Sequence, residues 1–174
     1  MAAVLAAAPV FGFGHSRKVS SIDEYCRLVR QDFASAVPFV FSGPDPWTEI
    51  DEVPADMPDQ AVAFVYATGA QVSWVFLRAV DADEGWSEDV DYFFRRDGSI
   101  AKRVRHMQSV AANITLEVTT YYENGRVLKE VAHHHGLHHG RSDFSKFTDP
   151  DAPVFTSTDD LPFPDIPDLW RRLA

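Results

Sequence analysis

The sequence predicts a mainly β, α+β fold: an N-terminal helix plus a curved antiparallel meander of six to seven strands. The sheet is expected either to curl toward a half-barrel or to be covered by the helix and the tail. Three observations predict this. Between residues 61 and 135, runs rich in Val, Ile, Phe, Tyr, Trp and Thr follow a period of two. Gly69, Gly98 and Gly125 punctuate those runs at near-equal intervals. Ahead of them, Ile22, Tyr25, Cys26, Val29 and Phe33 recur at helical spacing.

The elements follow in order. Residues 1–19 form an apolar N-terminal segment, of which 1–14 carry no charge. That run is shorter than the ~20 residues of a membrane-spanning helix. It resembles the apolar core of a secretory signal, with Ala6, Ala7 and Ala8 as a cleavage site but no Lys or Arg ahead of it. The expectation is an exported or periplasmic protein, with a cytoplasmic protein bearing an apolar tail as the alternative. Residues 20–140 form the helix and meander. The helix should start near Ser20 and Ser21, because Ser21 and Glu24 make a capping box and Asp23 and Glu24 place negative charge in the first turn. Residues 37–41 read as a short strand, and Pro44, Pro46, Pro54 and Pro58 make 42–59 a loop. Six strands follow at 61–67, 71–80, 89–95, 99–108, 114–122 and 126–135. Residues 141–174 form an acidic, Pro-rich tail packed on the domain, with a short helix at 167–173 docked by Leu169 and Trp170.

The meander contains a repeat. Residues 92–106 align with 120–134 after one deletion beside Asp97, so that Ile100, Lys102, Val104 and His106 match Val127, Lys129, Val131 and His133. A weaker third copy turns at Thr68 and Gly69. Tyr121-Tyr122-Glu123-Asn124-Gly125, followed by Leu128 and Glu130, resembles the hairpin of MORN-variant repeat proteins over this one hairpin. Those are sheet-building repeats, some of them antitoxin components. The resemblance implies an interaction surface rather than chemistry.

Turn chemistry predicts the register. A two-residue Asn124-Gly125 turn pairs Glu123 with Arg126 and Tyr122 with Val127. Continued without interruption, it opposes Thr120 to Lys129, Leu116 to His133 and Ile114 to His135, turning His133 and His135 inward. A three-residue loop at Arg96-Asp97-Gly98 pairs Phe94 with Ile100, Tyr92 with Lys102 and Glu88 with His106, and keeps Arg103 and Arg105 outside. The apolar face is then expected to carry a set of polar groups: Glu88, Tyr92, Lys102, His106, Thr120, Tyr122, Lys129, His133 and His135.

Two sites follow. Tyr92, Lys102, His106, Thr120, Tyr122 and Lys129 are candidate ligand-binding residues, Tyr92 beside Lys102 and Thr120 beside Lys129. His133 and His135, about 6.7 Å apart at Cα on one strand face, are candidate metal ligands with His138, His139 or Asp143 completing the set. An all-nitrogen and oxygen set of this kind suits a divalent transition metal such as Zn or Ni. The remaining residues exclude several classes. The net charge of −10 argues against nucleic acid as a partner. The single cysteine, Cys26, permits no intramolecular disulfide and reads as a small buried hydrophobe. No phosphate-binding glycine loop or nucleophile elbow is present. The expected function is non-enzymatic binding of a protein or small-molecule ligand, with no transmembrane segment. The alternatives are a metal- or lysine-dependent small-barrel enzyme and an accessory subunit of a larger assembly.

Overall fold

The computed structural model describes residues 13–34, 38–43, 47–51, 61–68, 71–81, 85–138, 142–143, 145 and 153–163. Helix α1 (Phe13–Asp32) is followed by β1 (Phe39–Gly43), β2 (Thr48–Ile50), β3 (Ala61–Thr68), β4 (Gln71–Asp81), β5 (Trp86–Phe94), β6 (Ile100–Ser109), β7 (Ile114–Glu123) and β8 (Arg126–His135). All eight strands form one sheet in the order β2-β1-β3-β4-β5-β6-β7-β8, with every neighbouring pair antiparallel. The sheet is mainly β and open, not a barrel: β2 and β8 are its two edges. β2 lies inside the stretch expected to be a loop, paired as Val40 with Ile50 and Ser42 with Thr48. The uncharged residues 1–12 and the expected helix at 167–173 lie outside the described residues. No described helix is long and apolar enough to cross a membrane.

The helix starts at Phe13 rather than at Ser20 or Ser21. No proline interrupts 13–20, and serine disfavours a helix interior only mildly, so the hydrogen-bond ladder runs through. The Ser20 hydroxyl donates to the Ser16 carbonyl at 3.0 Å, one turn back, and Glu24 pairs with Arg27 at 2.6 Å instead of closing a capping box. The expected apolar stripe is in place: Ile22, Cys26, Val29 and Phe33 are buried against Phe93, Ala101 and Tyr121, flanked by Tyr66, Trp74 and Leu128. α1 crosses the sheet diagonally, from a Lys18–Glu123 ion pair near the β7–β8 turn to a ring contact between Phe33 and Tyr66 on β3.

The opposite face holds the larger core. Phe41, Val65, Val75, Val90, Tyr92, Phe94, Ile100 and Tyr122 pack there under Trp47, Phe155 and Phe163. Residues 153–163 are tied down by main-chain bonds: Ile100 donates to Thr156 at 2.9 Å and Thr158 to Gly98 at 2.9 Å. Helix and C-terminal segment therefore cover opposite faces, which removes the need for the sheet to close on itself.

The β3–β4, β5–β6 and β7–β8 hairpins each carry a β-bulge at the same place, and this changes the register. Phe94 pairs with Ile100 as expected, but Phe93 then pairs with Lys102, leaving Ala101 extra. Tyr122 pairs with Val127 as expected, Tyr121 with Lys129, and Leu128 is extra. Ala67 pairs with Val72, Tyr66 with Trp74, and Ser73 is extra. One inserted residue exchanges the faces of everything beyond it. Arg103 and Arg105 thus enter the face they were expected to avoid, opposite Tyr92 and Val90, while Lys102, Val104 and His106 move to the helix side. Arg105 is buried and ion-paired to buried Glu88, and Arg103 lies 5.9 Å from the Tyr92 ring centroid.

Candidate functional site

The nine polar residues expected on one face are divided between two. Glu88, Tyr92, Thr120 and Tyr122 are buried on the face away from α1, Tyr92 and Tyr122 in the core that includes Phe155 and Phe163. The Tyr92 hydroxyl donates to the Pro153 carbonyl, and the Thr120 hydroxyl donates to Glu130 at 2.9 Å. Burial pushes the Tyr92 phenol up to about 12. Lys102, His106, Lys129, His133 and His135 take the helix side. The expected pairing of Tyr92 with Lys102 and of Thr120 with Lys129 is therefore corrected: Lys102 and Lys129 lie opposite Phe93 and Tyr121.

The histidines expected to point inward are exposed. The Leu128 bulge moves His133 opposite Glu117, His134 opposite Leu116 and His135 opposite Thr115, all on the edge strand β8. At His138 the backbone N–H donates to Asn113 Oδ1 at 2.8 Å, and the side chain is exposed. Among the described residues no three His, Cys, Asp or Glu side chains form a group that could hold a metal ion.

The register creates a different constellation. Arg78, Asp89, His106, Glu117 and His133 stand directly opposite one another on five successive strands, β4 to β8, alternating basic and acidic. Arg78 grips Asp89 at 2.8 Å and 2.9 Å, and His106 Nδ1 lies 3.6 Å from Glu117. This row lies beyond the ground covered by α1, and His106 and Glu117 border a cleft beside the helix.

That cleft has a volume of about 570 Å³ and runs along α1 from Asp23 to Ala34 above β5–β7. Its floor is Phe93, Val104 and Cys26, and its polar rim includes Arg27, Arg30, Gln31, Lys102 and His106. Lys102 donates to Asp23 at 2.6 Å and lies 5.1 Å from the Tyr121 ring centroid; the Tyr121 hydroxyl donates to the same carboxylate at 3.3 Å. A second cleft, about 470 Å³, opens on the other side of the helix end between Phe33, Tyr66, Trp74 and Phe76. Both volumes fall within the range of small-molecule sites. The clefts share Arg30 and Ala34, so they adjoin at the end of α1.

At that junction Asp91, almost fully buried, accepts from Arg30 at 2.7 Å and from the Trp74 indole N–H at 2.7 Å. Burial raises its carboxyl above the usual range, outweighing the Arg30 guanidinium that lowers it. Tyr66, Trp74 and Phe93 stand nearly parallel across three strands, with Arg30 5.7 Å from the Trp74 ring centroid and 5.2 Å from that of Phe93. Cys26, on the floor, is 4 % exposed and its thiol is pushed up to about 12 by burial, so it is not poised as a nucleophile.

Of the expected ligand-binding residues the cleft brings together Lys102 and His106 only. Sequence reasoning missed Arg30, Asp91, Trp74 and Phe76. Arg30 was findable: it lies one turn after Cys26, at the border of the apolar stripe. Trp74 was hidden by the bulge at Ser73, which decides its face; Asp91 keeps the side of β5 away from Tyr92 that simple alternation gives it, and that side is the one α1 covers. Set against known protein families, curated proteins and solved structures, the chain finds no match.

Proposed function

We propose that this chain is a non-enzymatic binding domain that takes a small molecule in the groove around the C-terminal end of α1, and that it acts outside the cytoplasm. The observation that carries the reading is the junction at Arg30 and Ala34, where an aromatic cleft and a polar cleft of ligand size adjoin. The polar groups there are held by hydrogen bonds and ion pairs, and Cys26 is inert, which favours recognition over chemistry. Export rests on the uncharged start of the sequence.

Ala34 tests the binding reading. It is exposed, lines both clefts and makes no side-chain bond, so Ala34→Trp obstructs the groove without breaking an interaction. A fragment collection is screened by melting temperature and by the Trp74 indole resonance. Binders that move Trp74 in the wild type and lose affinity in Ala34→Trp support the site. No compound moving Trp74, or binding indifferent to Ala34→Trp, refutes it. Cell fractionation with mass analysis of the N-terminus tests export: a cytoplasmic protein retaining residues 1–14 refutes that part.

A further inference from the structure

We propose that the groove selects an amphiphilic carboxylate, an aromatic or hydrocarbon body bearing one acid group, with the acid held by Arg30; this rests on the reading of the groove as a small-molecule site. Arg30 is the polar residue common to the aromatic and the polar cleft, and its side chain is 50 % exposed. A guanidinium has five N–H donors in a fixed fork. Arg30 Nη2 serves Asp91, whereas Nε and Nη1 hold no hydrogen bond among the described residues. The side chain is already seated between the Trp74 and Phe93 rings and Asp91, so little rotamer freedom is lost when a second carboxylate binds.

The acids of the groove argue against a cationic ligand. Asp91 is occupied by Arg30 and Trp74, and Asp23 by Lys102 and Tyr121. Glu117 faces His106. Gln31, which has no side-chain partner among the described residues, adds a neutral donor to the same rim. The body of the ligand has a matching surface: Tyr66 and Trp74 stack at 4.3 Å and 11°, with Phe76 also lining that cleft. Flat or extended hydrocarbon fits such a wall, and Arg30 stands at its polar end.

Three probes that differ only in head group separate the alternatives: 4-phenylbutyrate, 4-phenylbutan-1-ol and 4-phenylbutylamine, titrated into the full chain and read at the Trp74 indole resonance. The carboxylate should bind at least about tenfold more tightly than the alcohol, as expected for a charge-assisted hydrogen bond. Arg30→Gln should weaken the carboxylate roughly 10- to 100-fold and leave the alcohol unchanged. Asp91→Asn, which releases Nη2 and removes the competing charge while keeping an acceptor for Trp74, should tighten the carboxylate. If none of the three probes moves Trp74, the groove reading fails and this proposal with it. If the alcohol or amine matches the carboxylate, the groove reading stands and the proposal is overturned. Should Arg30→Gln not fold, Asp91→Asn decides alone: unchanged or weaker carboxylate binding overturns the proposal.

Discussion

The Glu88–Arg105 pair lies where an uninterrupted hairpin would have put no arginine, and its removal has a calculable cost. Both groups are buried, Glu88 to 4 % exposure and Arg105 to 8 %, and the guanidinium also contacts the Met107 sulfur at 3.8 Å. Removing one partner leaves a charge buried without compensation, at a cost of about 3–5 kcal/mol. For a domain of this length each kcal/mol shifts the melting temperature by roughly 2–4 °C, so Arg105→Met should melt roughly 6–20 °C lower. Replacing both partners, Glu88→Leu with Arg105→Met, removes the desolvation of both ions and should restore stability to the wild-type value or above it. Urea unfolding of wild type, both single variants and the double variant gives the full cycle. A cost below about 0.5 kcal/mol for Arg105→Met, the ordinary surface value, would refute the reasoning. Arg105 would then face solvent, and the bulge at Ala101 would not exist.

Three further outcomes are expected. The buried Cys26 thiol, pushed up to about 12, should resist iodoacetamide at pH 8 in the native chain and react fully in urea, as read by mass; rapid native labelling would contradict its burial. Gly98 and Gly125 both sit at positive φ, +79° and +71°, but a Cβ at Gly98 would lie 2.7 Å from Thr158 Oγ1 whereas one at Gly125 meets nothing within 4 Å. Gly125→Ala should cost roughly 1–2 kcal/mol from the left-handed backbone alone, and Gly98→Ala more, because Thr158 must also move; the reverse order in urea unfolding would be fatal to this account. Asp91 has a raised carboxyl, so its contribution to stability is fully present below the ordinary value of 3.8 and is lost as pH rises through the folded-state value. Asparagine stays neutral throughout. The melting temperature of Asp91→Asn relative to wild type should therefore climb between about pH 3.5 and neutrality, and a falling difference would reverse the assigned sign.

What was legible in the sequence is what local chemistry decides. The Asn124-Gly125 turn takes its two positive φ values, 50° and 71°, and closes on the expected pairs, because a two-residue turn of this kind needs both centres left-handed. The helix stripe and the six long strands are likewise local patterns, and all are present. Two things were not legible. The start of α1 is one: Ser21 and Glu24 make a good cap, but the helix continues back to Phe13 because nothing stops it. The face of each strand beyond its bulge is the other. Ile100-Ala101-Lys102 and Val127-Leu128-Lys129 contain no glycine to mark a bulge, and either register leaves an apolar face. Desolvation cost argues for keeping Arg103 and Arg105 outside; Arg105 is tolerated inside because its charge sits on Glu88. That single residue of slip carried the histidines out to solvent and took the expected ligand set apart.

The same slip explains why a groove exists and where. In each hairpin the bulge turns two successive residues toward α1: Ser73 and Trp74, Ala101 and Lys102, Leu128 and Lys129. The second of each pair is long, and its partner on the outgoing strand is aromatic: Tyr66, Phe93 and Tyr121. Alternating rings and long side chains thus form one row across β3 to β8, and Ala101, small and fully buried, adds to the surface against which the apolar stripe of α1 rests. The next row contains Phe76, Asp91, Val104 and Thr119, and the one after it is the charged row from Arg78 to His133. Because α1 crosses diagonally and ends at Asp32, it covers the first row, and residues of these two border the clefts beside it. The repeat builds the platform, and the helix length sets how much of it stays accessible to the proposed ligand.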